Sequence, residues 1–127
     1  HLSFWFERNI VYWNNASPLL GSNWKDDNFR LDWNCYWNAG GQPVRFPGNL
    51  TIEEWRSKRK QDEHSVVADP LFVAAEKGDF RLKPGSPALK LGFRPFDYTK
   101  AGRTTPAELT RGLPPVPRAF DSPQRAE

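Results

Sequence analysis

Four side chains in this chain of 127 residues are of the kind that move protons: Asp32, Asp62, Glu63 and His64. Two carboxyl groups held close together can divide the roles of general acid and general base, and an imidazole can carry a proton near neutral pH. Each also has a plainer use. Asp62 and Glu63 follow the basic run Arg56-Ser57-Lys58-Arg59-Lys60 and can pair with it, while His64 can strap a helix to a strand through hydrogen bonds. Asp69 is a further carboxylate, but it precedes Pro70 at what reads as a chain corner. With His1 and His64 the only histidines, no serine has an evident base partner.

A second set suits binding. Residues 31–38, Leu-Asp-Trp-Asn-Cys-Tyr-Trp-Asn, alternate in a two-residue period, placing Leu31, Trp33, Cys35 and Trp37 on one face and Asp32, Asn34 and Tyr36 on the other. If the earlier strand ending Tyr12-Trp13-Asn14 stacks on this one, then Tyr12, Asp32, Asn34 and Tyr36 form one outer face. Rings beside hydrogen-bonding groups suit a sugar. Tyr12-Trp13-Asn14 precedes Tyr36-Trp37-Asn38 by 24 residues, the step of one solenoid coil, with Asn14 and Asn38 stacked at a corner.

The elements that must position these residues are short. Residues 2–13 predict one or two strands broken near Glu7-Arg8-Asn9, and Val44-Arg45-Phe46 predicts a brief one. Val66-Val67-Ala68 and Leu71-Phe72-Val73 flank the Asp69-Pro70 corner, and Phe80-Arg81-Leu82 alternates again. One helix is expected at about 51–60. Thr51 and Glu54 have capping-box spacing, acidic residues open the helix and basic ones close it, and Ile52 and Trp55 lie three apart to face the body. Residues 16–29 and 83–87 read as turns, and residues 103–127, rich in proline, as an extended tail draped along the domain.

Composition bounds the rest. Six tryptophans, nine phenylalanines and no methionine favour pleated surfaces, while twelve prolines and nine glycines favour turns over long helices. No run of about 18 apolar residues is present to span a membrane. A net charge of +3 invites a nucleic-acid reading, but the one dense basic run is followed at once by acids and is not spread along a groove with stacking aromatics. Cys35, the only cysteine, reads as a small buried hydrophobe. No cofactor is expected. Asp26-Asp27 is the one place where calcium could find oxygen ligands, although the spacing does not match the alternating loop such sites use. The start at His1 inside a strand-like run reads as a fragment of a longer chain.

Taken in order, several segments resemble the C-terminal end of right-handed parallel β-helix proteins of the pectate-lyase-like superfamily. They are Asp32 through Asn38, Leu50-Thr51-Ile52-Glu53-Glu54-Trp55, Gln61 through Phe72, Gly78 through Ala88, and Leu91-Gly92-Phe93. The resemblance implies an all-β fold of a few coils over residues 1–102, with one short helix and a proline-rich tail over 103–127. It also implies a secreted, periplasmic or cell-surface polysaccharide-active parent, a glycoside hydrolase or polysaccharide lyase whose missing N-terminal coils complete the active site. The partner would be a polysaccharide or oligosaccharide, with no nucleic acid and no membrane. A hydrolase would need two of the carboxyls above to flank the scissile bond. A lyase would need a basic residue near a uronate, for which Arg30 and Arg45 are available. Alternatives are a non-catalytic capping segment and a carbohydrate-binding or assembly module. No catalytic signature transfers to a position in this chain.

Overall fold

The first extended run is two strands. β1 (Phe4–Glu7) and β2 (Ile10–Trp13) are separated by Arg8, whose φ of 56° puts it in the left-handed region and turns the chain. The same happens one layer on: β3 (Phe29–Asp32) and β4 (Cys35–Asn38) are separated by Trp33 at φ 58°. β1 pairs with β3 and β2 with β4, both in parallel and both at a step of 25 residues, since Phe4 lies opposite Phe29 and Trp13 opposite Asn38. The two corners therefore fall in register, and the Arg8 guanidinium sits 5.6 Å from the centre of a Trp33 ring. This computed structural model describes residues 1–19 and 26–100.

The β-helix expectation is overturned here. Among the described residues the strands fall into three separate small sheets, β1-β3, β2-β4-β5 and β6-β7, and two α-helices accompany them; no solenoid closes there, and the fold is mixed rather than all-β. Two physical reasons stand out. First, among the described residues no third strand covers β3: its outer edge is filled by the Gln61 side chain, which accepts from Leu31 N at 2.9 Å and donates to the Phe29 carbonyl at 3.1 Å, and by Asp62 N, which donates to Leu31 O at 2.7 Å. β5 (Val66–Val67) continues only the β4 side, again in parallel. Second, β6 (Phe72–Ala74) and β7 (Asp79–Leu82) are joined by a single 3-10 turn over Ala75–Lys77 ending at left-handed Gly78, a connection too short for anything but antiparallel pairing. The triplets also miss their expected step by one residue, so Tyr12 faces Trp37 and Asn38 packs beside Trp13 rather than beneath Asn14.

Helix α1 (Ile52–Arg59) forms as its end signals dictate. Glu54 N donates to Thr51 Oγ1 at 3.2 Å and Thr51 N donates to Glu54 Oε1 at 3.0 Å, which satisfies two orphan donors of the first turn. Trp55 is fully buried with Leu19, Phe29, Leu31, Tyr36 and Phe46, and Ile52 packs against that cluster. The Phe46 ring lies between Tyr36, edge-on at 5.2 Å, and Trp55, stacked at 5.5 Å. Val44-Arg45-Phe46 does not make a strand; Phe46 only bridges to Leu50. The basic run is used within the fold: Arg56 Nε donates to the Asp62 carbonyl at 2.9 Å, and Arg59 holds Asp27 at 2.5 Å.

A second helix, α2 (Pro87–Lys90), begins at the last residue of the turn expected over 83–87 and is an addition to the one helix expected. Pro87 occupies its first turn, where a missing N–H costs nothing, and Ser86 Oγ accepts from Ala88 N while donating to the Pro70 carbonyl. It brings Ala88 and Leu91 against Cys35 in a smaller core. The proline-rich tail over 103–127 and the turn at 21–23 lie outside the described residues. Among the described residues no helix is long and apolar enough to cross a membrane.

Candidate functional site

The left-handed conformation of Trp33 decides where the proton-moving residues go. It ends β3 at Asp32, and the break shifts the side-chain alternation so that Asn34, Cys35 and Tyr36 are all buried. Asp32 is left at the surface, where its Oδ1 accepts from Trp33 N at 2.8 Å and His64 N at 2.6 Å, and its Oδ2 meets His64 Nδ1 at 2.8 Å. The His64 ring is stacked on Trp33 at 4.2 Å with planes 4° apart, and its Nε2 lies 3.8 Å from Glu63. Burial pushes Asp32 upward, but the bonds from His64 and Trp33 outweigh it and hold the carboxyl below its ordinary range. The hydrogen bond to Asp32 raises His64 above the usual imidazole value.

Three of the four candidates therefore converge, and the fourth does not. Asp62 is fully buried. Its Oδ1 accepts from Ser65 Oγ at 2.6 Å, Tyr36 Oη at 3.0 Å and Asn34 Nδ2 at 3.4 Å, and its Oδ2 accepts from Trp55 Nε1 at 2.9 Å. With its lone pairs taken and no route to solvent, it cannot serve with Asp32 or Glu63 at a glycosidic bond. Asp69 is exposed and accepts from Leu71 N.

The outer sugar face expected from Tyr12, Asp32, Asn34 and Tyr36 does not form. Asn34 and Tyr36 have no exposure at all: Asn34 Oδ1 accepts from Asn9 N and its Nδ2 donates to the Phe6 carbonyl, bracing the two layers, and Tyr36 belongs to the core, where burial first and Asp62 second push its hydroxyl far above the ordinary range. Tyr12 remains at the surface, edge-on to Phe72 at 5.1 Å. Cys35 is buried and donates to the Ala68 carbonyl; burial, then the Asp69 charge, push its thiol up to about 11, out of reach as a nucleophile. Asp27 pairs with Arg59 and Asp26 accepts from Asn28 N, and among the described residues no three His, Cys, Asp or Glu side chains gather for a metal.

Two open clefts flank the carboxyl ends of β2 and β4, and Trp13 lines both. The first, about 420 Å³, is lined by Trp13, Ser17, Asn38, Gln42, Arg45 and Asn49 among others. The second, also about 420 Å³, is lined by Tyr12, Trp13, Asn14, Ala39, Glu76 and Phe80, with Ala75 at its edge. Both volumes lie in the range of small-molecule sites. The first is shaped by Asn38, whose Nδ2 donates to the Asn15 carbonyl and whose Oδ1 accepts from Gly40 N. Gly40 has no room for a side chain there, since a Cβ would fall 2.6 Å from the Asn14 carbonyl oxygen. Trp13 Nε1 is buried without a hydrogen-bond partner among the described residues.

No protein-family model, curated protein or solved structure matches this chain. The geometry therefore carries the functional reading. Of the two arginines considered for a uronate, Arg45 lines a cleft, whereas Arg30 donates to its neighbour's carbonyl, Phe29 O, at 2.9 Å. Sequence reasoning missed Trp13, Gln42, Asn49, Glu76 and Phe80. The available signal was a tryptophan at a strand end beside two turn-rich, amide-bearing segments.

Proposed function

We propose that this chain is the saccharide-holding segment of a secreted polysaccharide-active protein, a glycoside hydrolase or polysaccharide lyase, and that a sugar ring lies against Trp13 in the Arg45 cleft. The observation that carries this reading is the lining itself: an indole wall with a guanidinium, the amides of Asn38, Gln42 and Asn49 and a serine hydroxyl around one opening of about 420 Å³. An aromatic wall contributes apolar contact at low entropic cost, and fixed amides and a guanidinium supply direction. Such a role belongs at the cell surface, in the periplasm or outside the cell. Titrating isotope-labelled protein with neutral and uronic-acid oligosaccharides tests it. The Trp13 indole signal is expected to shift and Trp13→Ala to weaken binding by about tenfold; a Trp13 signal unmoved by every saccharide at millimolar concentration would refute it.

The Asp32–His64 pair favours a second reading, proton transfer by the chain itself. With Nδ1 held on Asp32, the Nε2 atom of a half-exposed ring is the one left for a substrate proton. Under that reading His64→Gln abolishes depolymerising activity of the intact protein while saccharide binding at Trp13 persists. Activity that survives the substitution removes His64 from the chemistry.

A further inference from the structure

The two clefts differ in charge, and they share a wall. Among the described residues, the first has Arg45 and no acid in its lining, and the second has Glu76 and no base. Their linings adjoin along the backbone, with Asn38 in one and Ala39 in the other, and Trp13 common to both. In the second, Tyr12 and Phe80 are 36% and 45% exposed and are linked through Phe72, which meets each of them edge-on, at 5.1 Å and 5.3 Å. This ring cluster is held by the β6-β7 hairpin, whose Phe72 and Leu82 lie opposite each other. It is thus a built aromatic surface rather than a stray exposed side chain.

Building on the saccharide-holding role, the geometry points to a ligand that is an oligosaccharide laid across Trp13, with an acidic sugar unit over Arg45 and an uncharged unit over Tyr12 and Phe80. A carboxylate is attracted by the Arg45 guanidinium and repelled by Glu76, so the two clefts rank acidic and neutral units in opposite order. A single sugar can fill only one of them. A polymer of uronate alone would place a carboxylate beside Glu76, and a neutral polymer would bring no carboxylate to Arg45; a mixed acidic and neutral chain suits both clefts.

The test uses the 127-residue chain and four probes: a xylotetraose bearing one glucuronic acid, unsubstituted xylotetraose, tetragalacturonate and free glucuronate. The mixed probe is expected to bind tightest. Arg45→Gln should bring it down by about fivefold, to the level of the neutral tetramer. Glu76→Gln should strengthen tetragalacturonate by about twofold and leave the mixed probe unchanged, as suits an exposed charge. Phe80→Ala should weaken both xylotetraose probes and not glucuronate; because Phe80 packs on Phe72, Phe80→Tyr, which keeps the ring, should restore them. Equal binding of glucuronate and the mixed probe, with Phe80 and Glu76 variants silent, would overturn the two-cleft ligand while leaving a saccharide at Trp13. No binding by any probe would remove both.

Discussion

Asp32 and Asp62 are the same residue type, both end up close to His64 in the chain or in space, and they do opposite things. Asp62 is sealed in the core beneath α1, where Tyr36, Trp55, Ser65 and Asn34 all direct polar hydrogens at it. Asp32, at the end of β3, keeps a fifth of its side chain in water and shares its oxygens with an imidazole that can gain or lose a proton. Buried, a carboxylate organises the polar centre of a core. At the rim, a similar set of bonds makes a clasp that responds to pH. What separates them is solvent access rather than chemical identity, because four donors without water leave no oxygen free to meet a ligand.

The largest effect should come from breaking the buried side. Asp62→Ala removes the shared acceptor of a phenol, an indole N–H and a hydroxyl in the core, and should cost at least about 3 kcal/mol in urea unfolding. A loss under about 1 kcal/mol would mean water reaches that network. Next in size is Trp55→Ala, expected at about 3 kcal/mol, because it removes both the largest buried side chain and one of those donors. Asp32→Ala should cost less, about 1–2 kcal/mol, since its partners can turn to water.

The smallest effect sharpens the contrast through pH. Asp32 titrates below its ordinary value in the folded chain, so its contribution is present above the unfolded carboxyl range and is lost as pH falls through the lowered value. His64 titrates above its ordinary value, so its contribution is complete below the unfolded imidazole range and is lost as pH rises through the raised value. The clasp should therefore stabilise most between about pH 4 and 6.5. The stability difference between the wild type and His64→Gln, followed across pH, should peak in that window and fall away on both sides. A flat difference would show that the imidazole–carboxylate bond is not made in solution.

Local signals were legible where they act locally. Thr51 and Glu54 are three apart, and the capping box follows from spacing alone; Trp55 faces inward because Ile52 lies one turn before it. Glu7-Arg8-Asn9 breaks the first run as its polarity suggests, and the strands bearing the two aromatic triplets do lie side by side in parallel. The step of 25 rather than 24 residues is already present in the β1–β3 pair, ahead of Trp33, whereas the misplaced side-chain alternation after β3 traces to Trp33. A tryptophan with positive φ is a rare conformation that alternation in sequence cannot announce, and it moves Asn34 and Tyr36 from the expected sugar face into the core. The antiparallel β6-β7 hairpin was hidden for a similar reason: strand-like composition says nothing of direction.

By itself, the sequence determined the helix and its caps, the places where the chain must turn, and a supply of aromatic and amide side chains, since these follow from neighbours a few bonds apart. Tertiary structure alone decided which carboxylate is sealed and which is wet, that His64 meets Asp32 across 32 residues, and that Trp13 separates two clefts of opposite charge. Burial and long-range approach depend on how layers stack, and a single left-handed residue is enough to change which side chains the stack covers.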